Sequence, residues 1–457
     1  MKDIKDYQNK NVLVLGLGKS GFNAAKLLRK LQANVTVNDK QVPTDPSQVN
    51  ELVAAGIKVV TGSHPLDLLD DCDLMVKNPG IPYENPLVKE AVAREISVIT
   101  EPELAFEVSD APMIGVTGTN GKTTTTTLIS LMLEKSTTYD KVYSAGNIGT
   151  SVSMVAQQAC ANDVIVTELS SFQLNGITDF HPHIAVLTNI YEAHTDFHGT
   201  HEKYVQAKLN ITKNQTPDDY FIVNWDNAEA REASLVSKAT IIPFSPANST
   251  QEGSYLRDGQ LYYQNEKIMA ADEIKIPGEH NVENALAAIA VAKLLGQTNE
   301  HITEVLKTFS GVKHRTQYLT TFKNRTFYND SKATNLEATK KALEGFEKPV
   351  VLLAGGLDRG LSFQPLLTAL KKHVHALVVF GETASQIADI GKKAGIENIQ
   401  FAQDAATAVP QAFELSKPGD VILLSPACAS WDQWPTFEIR GDKYIEAVEK
   451  LIKQTEE

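Results

Sequence analysis

The stretch Met113-Ile114-Gly115-Val116-Thr117-Gly118-Thr119-Asn120-Gly121-Lys122-Thr123 constrains what this chain can fold into more than any other. An apolar run enters a glycine-rich turn, a Lys-Thr pair follows, and Thr124 to Lys135 reads as a helix. Strand, glycine turn, Lys-Thr and helix, in that order, is the layout of a triphosphate cradle. The glycines let backbone N–H groups close on phosphate oxygens, and the helix N-terminus adds positive potential. Lys122 can then reach the β/γ-phosphates and the Thr123 hydroxyl can sit on Mg2+. The standard pattern has a glycine five residues before Gly121, where this chain has Val116, so the match is to the variant Gly118-Thr119-Asn120-Gly121-Lys122-Thr123. The first expectation is a nucleotide-binding ATPase or ligase; the alternative is a glycine turn that binds no nucleotide.

Strand-like and helix-like segments alternate along almost the whole chain, which predicts an α/β protein with mostly parallel sheets. At 457 residues the length suits about three domains. A first block has strands at Asn11–Leu15, 35–37, 58–60 and 74–76, with a helix from about Phe22 to Leu31, and closes near residue 100. A second opens at the phosphate loop, with strands at 164–167, 184–187 and 221–223. Between about 240 and 277 short alternating segments such as Leu261-Tyr262-Tyr263 predict a small antiparallel appendage, and a helix from Asn284 to Leu295 ends the block. A third begins near Gly311, with strands at 325–328, 350–353, 376–380 and 421–424. The expected domains are 1–100, 101–311 and 312–457, the outer two Rossmann-like and the central one a phosphate-loop ATPase fold.

Composition excludes some partners. A net charge of -13 argues against a nucleic-acid partner, whose phosphates need basic patches. No apolar run approaches the ~20 residues that span a bilayer, and Met1 to Asp6 lacks a signal-peptide core. Cys72, Cys160 and Cys428 are far apart and form no metal or disulfide pattern, so a cytoplasmic location is expected.

Other segments carry polar groups at strand ends. Gly16-Leu17-Gly18-Lys19-Ser20-Gly21 matches the dinucleotide fingerprint, with Asp39 at the end of the next strand where a ribose-binding acid belongs. That geometry fits NAD, but also any nucleotide diphosphate, including a nucleotide sugar. Asn78-Pro79-Gly80-Ile81 follows another strand and can line the same crevice. Glu168, in Glu168-Leu169-Ser170-Ser171-Phe172-Gln173, suits a Mg2+ bound with nucleotide. Between Asn189 and His201 lie several acids and histidines; a zinc site is conceivable there, but no ligand set is specified, and His194 is the best metal candidate. Lys208 lies in a helical stretch where nothing local distinguishes it from a solvated lysine. In the third block, Asn329 to Asn335, Gly355 to Gly360 and Ser425 to Asp432 follow three strands and should converge on one rim, where Arg359 and Lys332 could pair with a carboxylate substrate. Cys428 lacks a histidine partner and is disfavoured as a nucleophile.

Together these motifs resemble the Mur ligases over essentially the whole chain and in the right order. Gly118 to Thr123 marks a wider superfamily that includes folylpolyglutamate synthase. Asn329-Asp330-Ser331-Lys332-Ala333-Thr334-Asn335 and Ser425-Pro426-Ala427-Cys428-Ala429-Ser430 point to the branch that adds D-glutamate. The resemblance implies an ATP-dependent amide ligase of peptidoglycan precursor synthesis, using ATP, Mg2+, UDP-N-acetylmuramoyl-L-alanine and D-glutamate, and expected to be a monomer that binds neither nucleic acid nor membrane. It implies that Gly118, Thr119, Asn120, Gly121, Lys122, Thr123, Thr124, Asn281, Asn284, Arg315 and Asp330 bind ATP. Gly16, Gly18, Gly21, Asp39, Asn78, Pro79, Gly80, Ile81 and Asn147 would bind the UDP-substrate. Lys332, Thr334, Arg359, Ser430 and Phe437 would surround D-glutamate. Lys122, Glu168, His194 and Lys208 would be catalytic, with Thr123, Glu168, His194 and Lys208 at metal. Lys208 matches a family lysine that becomes carbamylated. Some members have Lys where Arg359 stands and Ser where Asn78 stands. A folylpolyglutamate synthase-like ligase and a nucleotide-dependent regulatory protein are the alternatives.

Overall fold

The structure, a computed structural model, describes residues 1–43, 45–360 and 362–456. Met1–Ile274 with Glu279–Lys307 forms one compact unit, and Lys275–Gly278 with Thr308–Glu457 forms another.

The first unit holds two sheets. The N-terminal sheet has β1 (Asn11–Leu15), β2 (Asn34–Asp39), β3 (Lys58–Thr61), β4 (Leu74–Lys77) and β5 (Ser97–Thr100), all parallel, in the order β3-β2-β1-β4-β5. Val12 to Leu15 are buried on both faces, as expected of a central parallel strand. The following helix, Lys19–Lys30, buries Gly21, Ala24, Ala25, Leu27 and Leu28 on one face. It starts earlier than the hydrophobic pattern predicts, because its first turn is the glycine loop itself. The chain leaves β1 for β2 on one side and later returns to β4 on the other. The crevice between the carboxyl ends of β1 and β4 is therefore a topological switch point, where open α/β sheets bind ligands.

The second sheet of this unit has β6 (Met113–Thr117), β7 (Val142–Gly146), β8 (Val164–Glu168), β9 (Ile184–Leu187), β10 (Tyr220–Asn224), β11 (Thr240–Ser245), β12 (Ser254–Arg257), β13 (Gln260–Tyr263) and β14 (Glu266–Ala270). Their order is β14-β13-β12-β11-β10-β9-β6-β8-β7, so β6 lies between β8 and β9. The predicted antiparallel appendage is the edge of this same sheet: β12 pairs in parallel with β11, and β13 and β14 continue it antiparallel. Helix Lys122–Leu133 follows the phosphate loop and packs against helix Glu279–Leu294. In the latter helix all residues from Asn284 to Ala292 are buried, and its run of alanines permits close approach to the threonine-rich first turns of the former.

The second unit has one sheet: β15 (Gln317–Phe322), β16 (Arg325–Asn329), β17 (Val350–Gly355), β18 (Val374–Phe380), β19 (Asn398–Phe401) and β20 (Val421–Leu424), ordered β15-β16-β20-β17-β18-β19. All neighbours are parallel except β15 with β16. The edge strands β15 and β19 are only partly buried, so neither carries the apolar run that marks β17, β18 and β20 in sequence. The carboxyl ends of β16, β20 and β17 are adjacent, which brings the three polar loops to one rim as expected.

Candidate active site

The phosphate loop, 118–121, is built from backbone. Gly118 has φ +145° and Gly121 φ +81°, conformations that side-chain-bearing residues avoid. A Cβ at Gly118 would fall 1.9 Å from Thr188 Oγ1, and one at Gly121 2.2 Å from Asn284 Oδ1. Residues at the end of β9 brace the loop from outside. The Thr119 N–H donates to the Asn189 carbonyl at 2.9 Å, and the Asn120 N–H donates to Asn189 Oδ1 at 2.9 Å. The Thr188 hydroxyl donates to the Asn120 carbonyl at 2.6 Å. Lys122 Nζ lies across the loop, donating to the carbonyls of Gly118 at 2.9 Å and Thr119 at 3.0 Å. Thr123 and Thr124 open the helix behind it. Asn281 and Asn284 lie on helix Glu279–Leu294; Asn284 Nδ2 donates to Asn281 Oδ1 at 3.2 Å, and Thr125 Oγ1 donates to Asn284 Oδ1 at 3.3 Å.

Glu168 ends β8, level with Val116 on β6, so its carboxylate sits beside the entry to the loop. It is 1% exposed. Oε1 accepts from Asn147 Nδ2 at 2.8 Å, while Oε2 is buried without a hydrogen-bond partner. A buried carboxylate oxygen left unpaired is costly, and a hard cation is the group that satisfies it, so the residues fit Mg2+. Lys208, on helix His201–Leu209, is 2% exposed and donates to the Gly118 carbonyl at 2.7 Å. Burial first, and the charge of Lys122 second, hold its ammonium well below the ordinary lysine range. Lys208 thus faces the phosphate loop directly, which no local pattern in the sequence reveals. His194 has φ +54° and caps the short helix Thr195–His198; its ring lies 5.0 Å from that of Phe172, in the short helix Ser171–Leu174 that follows Glu168. Among the described residues, the histidine- and acid-rich segment around it forms no group of three close metal ligands.

At the N-terminal switch point, Gly16 has φ +103°, and a Cβ there would meet Asn78 Cβ at 2.8 Å. A Cβ at Gly18 would meet Asn78 Nδ2 at 2.6 Å, and one at Gly21 the Gly16 carbonyl at 2.0 Å. The Gly16 and Asn78–Ile81 loops therefore interlock. Asp39 braces the first of them: Oδ2 accepts the Leu17 N–H at 2.7 Å and Oδ1 the Gln41 N–H at 2.8 Å. Lys19 donates to the Gly149 carbonyl and Asn23 Nδ2 to Ser151 Oγ at 2.8 Å. These contacts tie the first helix to the turn that carries Asn147, and through Asn147 to Glu168.

In the second unit, the Asp330 carboxyl is buried and accepts from Thr316 N–H at 3.0 Å and Ser425 Oγ at 2.8 Å. Burial raises it to about 6, against the hydrogen bonds and the nearby charge of Arg315. Arg359 stacks on Trp431 at 4.9 Å and Lys332 lies 5.8 Å from the Phe437 ring. Thr334 follows on the same loop as Lys332, its N–H donating to the Lys332 carbonyl at 2.9 Å. Ser430 is buried with its hydroxyl unpartnered, which suits a ligand acceptor. Sequence reading passed over Arg440, which is 0% exposed. It donates to the Ser331 carbonyl at 2.8 Å, Ser331 Oγ at 3.0 Å and the Cys428 carbonyl at 3.1 Å, locking two rim loops together. Burial pulls its guanidinium down to about 10. Thr188 and Lys77 are likewise unmarked in sequence except by their placing just after expected strands, and Asn189 enters the sequence reading only as the start of the polar segment that holds His194.

The comparisons with known proteins agree with this geometry. Residues 10–100 match the family described as Mur ligase MurD-like, N-terminal domain, residues 116–292 the Mur ligase middle domain, and residues 314–428 the Mur ligase, glutamate ligase domain. The chain is 66% identical, over 100% of both chains, to a protein of Ligilactobacillus salivarius named UDP-N-acetylmuramoylalanine--D-glutamate ligase. It is 58% identical, again over 100% of both, to one of that name from Lactiplantibacillus plantarum. Among solved structures it resembles UDP-N-acetylmuramate-alanine ligase MurC from Thermotoga maritima, with a TM-score of 0.56 and 20% identity over 96% of this chain and 99% of that one, a likeness of fold. With a phosphate loop, a buried carboxylate beside it and full-length similarity of this degree, the chain belongs to the Mur ligase family.

Proposed function

We propose that this chain is an ATP-dependent amide ligase that joins D-glutamate to UDP-N-acetylmuramoyl-L-alanine, in peptidoglycan precursor synthesis. The observation that carries the substrate assignment is the 66% identity, without truncation of either chain, to a protein named for that reaction. In this reading ATP phosphorylates the terminal carboxylate of the UDP-substrate. The D-glutamate amine attacks the acyl phosphate, and a tetrahedral intermediate collapses to the amide and phosphate. A carboxylate is a poor electrophile, and the phosphate supplies the leaving group.

The residues fit named roles. Gly118 to Thr124 cradle the phosphates, and Lys122 offsets the negative charge that accumulates as two anions meet. Asn281, Asn284, Arg315 and Asp330 hold the rest of ATP. Mg2+, when bound, supplies further charge neutralisation on the phosphates; Thr123, Glu168 and His194 are the residues to hold it. The neutral Lys208 amine adds to CO2 and releases a proton to solvent, leaving a carbamate anion; burial favours the neutral amine that this needs. Gly16, Gly18, Gly21, Asp39, Asn78 to Ile81 and Asn147 hold the UDP-substrate. Lys332, Thr334, Arg359, Ser430 and Phe437 hold D-glutamate, whose two carboxylates call for cationic and hydroxyl partners. The division of labour follows the segments 1–100, 101–311 and 312–457. The enzyme works in the cytoplasm as a monomer on small-molecule substrates. Among the described residues no helix is long and apolar enough to cross a membrane.

The test is ADP release with each acceptor and amino acid in turn. UDP-N-acetylmuramoyl-L-alanine and D-glutamate together should stimulate turnover, and neither alone should. Turnover with a folate and glutamate instead would overturn the reading. Lys208→Ala should lose activity and regain part of it with bicarbonate or a short added carboxylate; full activity without rescue would refute the carbamate.

A further inference from the structure

We infer that Lys77 is a positioning residue for the UDP-substrate: a buried ammonium that fixes the shape of the Asn78–Ile81 loop and ties that loop to the segment carrying His194. The inference rests on the reading of the N-terminal crevice as the UDP-substrate site.

Lys77 is the last residue of β4, following Leu74, Met75 and Val76, all buried. It is itself 1% exposed. An ammonium has three N–H donors and no acceptor. Here Nζ donates to the carbonyls of Ile81 at 2.7 Å, Pro79 at 3.3 Å and Asn78 at 3.4 Å. All three acceptors belong to the one loop that follows the strand. The chain thus curls around its own lysine, and the loop's carbonyls point inward to a common centre.

Burying a charge without a carboxylate partner is unfavourable. The environment shows it: desolvation alone lowers this ammonium to about 8. A methionine would fill similar space without that cost. What a methionine cannot do is gather three carbonyls to one point.

The loop shape so fixed is transmitted in two directions. Toward β1, Asn78 occupies the space that side chains at Gly16 and Gly18 would need, so a shift of Asn78 shifts the glycine loop. Gly80 N–H in turn donates to Asn78 Oδ1 at 3.3 Å. Toward the catalytic sheet, the ammonium lies 5.0 Å from the Tyr83 ring and 6.0 Å from that of Phe197. Cation–π contacts of this kind are strengthened by desolvation. Phe197 packs on Phe172 at 4.4 Å, and Phe172 on His194 at 5.0 Å. One buried charge therefore sits between the crevice at the β1/β4 switch point and the segment of the metal candidate.

The test is steady-state kinetics of Lys77→Met and Lys77→Gln in the full-length enzyme, with calorimetric binding of the UDP-substrate. Loss of charge-assisted hydrogen bonds should raise the KM for UDP-N-acetylmuramoyl-L-alanine about 10- to 100-fold in K77M. The KM values for ATP and D-glutamate should change far less. K77Q, which keeps two N–H donors, should fall between wild type and K77M. An unchanged KM for the UDP-substrate in either folded variant overturns the positioning role, as does an equal rise in all three KM values. If K77M does not fold, K77Q is judged by the same split. Calorimetry of wild type beside the variants separates the underlying reading: equal binding of uridine diphosphate by wild type and variants sinks only this inference, whereas binding of NAD in place of the UDP-substrate by wild type sinks both.

Discussion

In the phosphate loop the groups that matter belong to the backbone. Gly118 and Gly121 take conformations that exclude side chains, and Thr188, Asn189 and Asn284 hold the loop from neighbouring elements. At the rim of the C-terminal sheet they belong to side chains. Asp330, Ser425, Ser430 and Arg440 come from three separate stretches, and Arg440 joins two of them through carbonyl hydrogen bonds. A site made of backbone is written into a short contiguous motif and recurs wherever a phosphate must be held. One made of side chains from distant loops can change its ligand by changing a residue. That division suits an enzyme that uses ATP in one place and selects an amino acid in another.

The comparison breaks first at Lys122, the charged side chain that lies across the loop. Lys122→Ala should lower turnover by roughly 10²–10³-fold or more, with an unchanged circular dichroism spectrum, since the loop lies beyond the carboxyl end of β6, outside the packed core. Near-normal ADP release would remove the triphosphate assignment. Arg440→Met tests the rim in the opposite way. It should destabilise the second unit, by about 1–3 kcal/mol for each carbonyl it orphans, seen as an earlier denaturant midpoint. An unchanged midpoint would mean that the rim is held by other contacts.

Arg359→Ala should raise the KM for D-glutamate about 10-fold or more and leave that for ATP alone. The guanidinium stacked on Trp431 is available for bidentate pairing with a carboxylate. Equal changes in both constants would refute its assignment to the amino acid. The smallest effect concerns pH. The native Asp330 carboxyl keeps its proton up to about 6, against an ordinary value of 3.8. The native state binds that proton more tightly than the unfolded chain. Stability from this group is therefore greatest below 3.8, falls as pH rises through that window, and is constant above it. Asp330→Asn should flatten the fall by on the order of 1 kcal/mol, measured by urea unfolding at about pH 4.5 and about pH 7. An identical slope in both proteins would show that Asp330 is not the group responsible.

The sequence alone determined the elements whose physics is local. Val12 to Leu15 is a short apolar run closed by Gly16, as a strand buried on both faces requires, and Gly118 to Thr123 carries its glycines and lysine in one short stretch. The three polar loops of the third block were legible for the same reason, since each directly follows a buried strand. Tertiary structure decided what depends on burial and on neighbours far away in sequence. Lys77, Lys208 and Arg440 look like any solvated cation on the page, because charge is read from a residue but desolvation is read from everything packed around it. Lys208 meets Gly118 across 90 positions and Arg440 meets Ser331 across 109. Strand order decided the rest: β20 inserted between β16 and β17, and β6 placed between β8 and β9, set which loops face one another. Hydrophobic periodicity fixes which face of a strand is buried, but says nothing about which strand lies beside it.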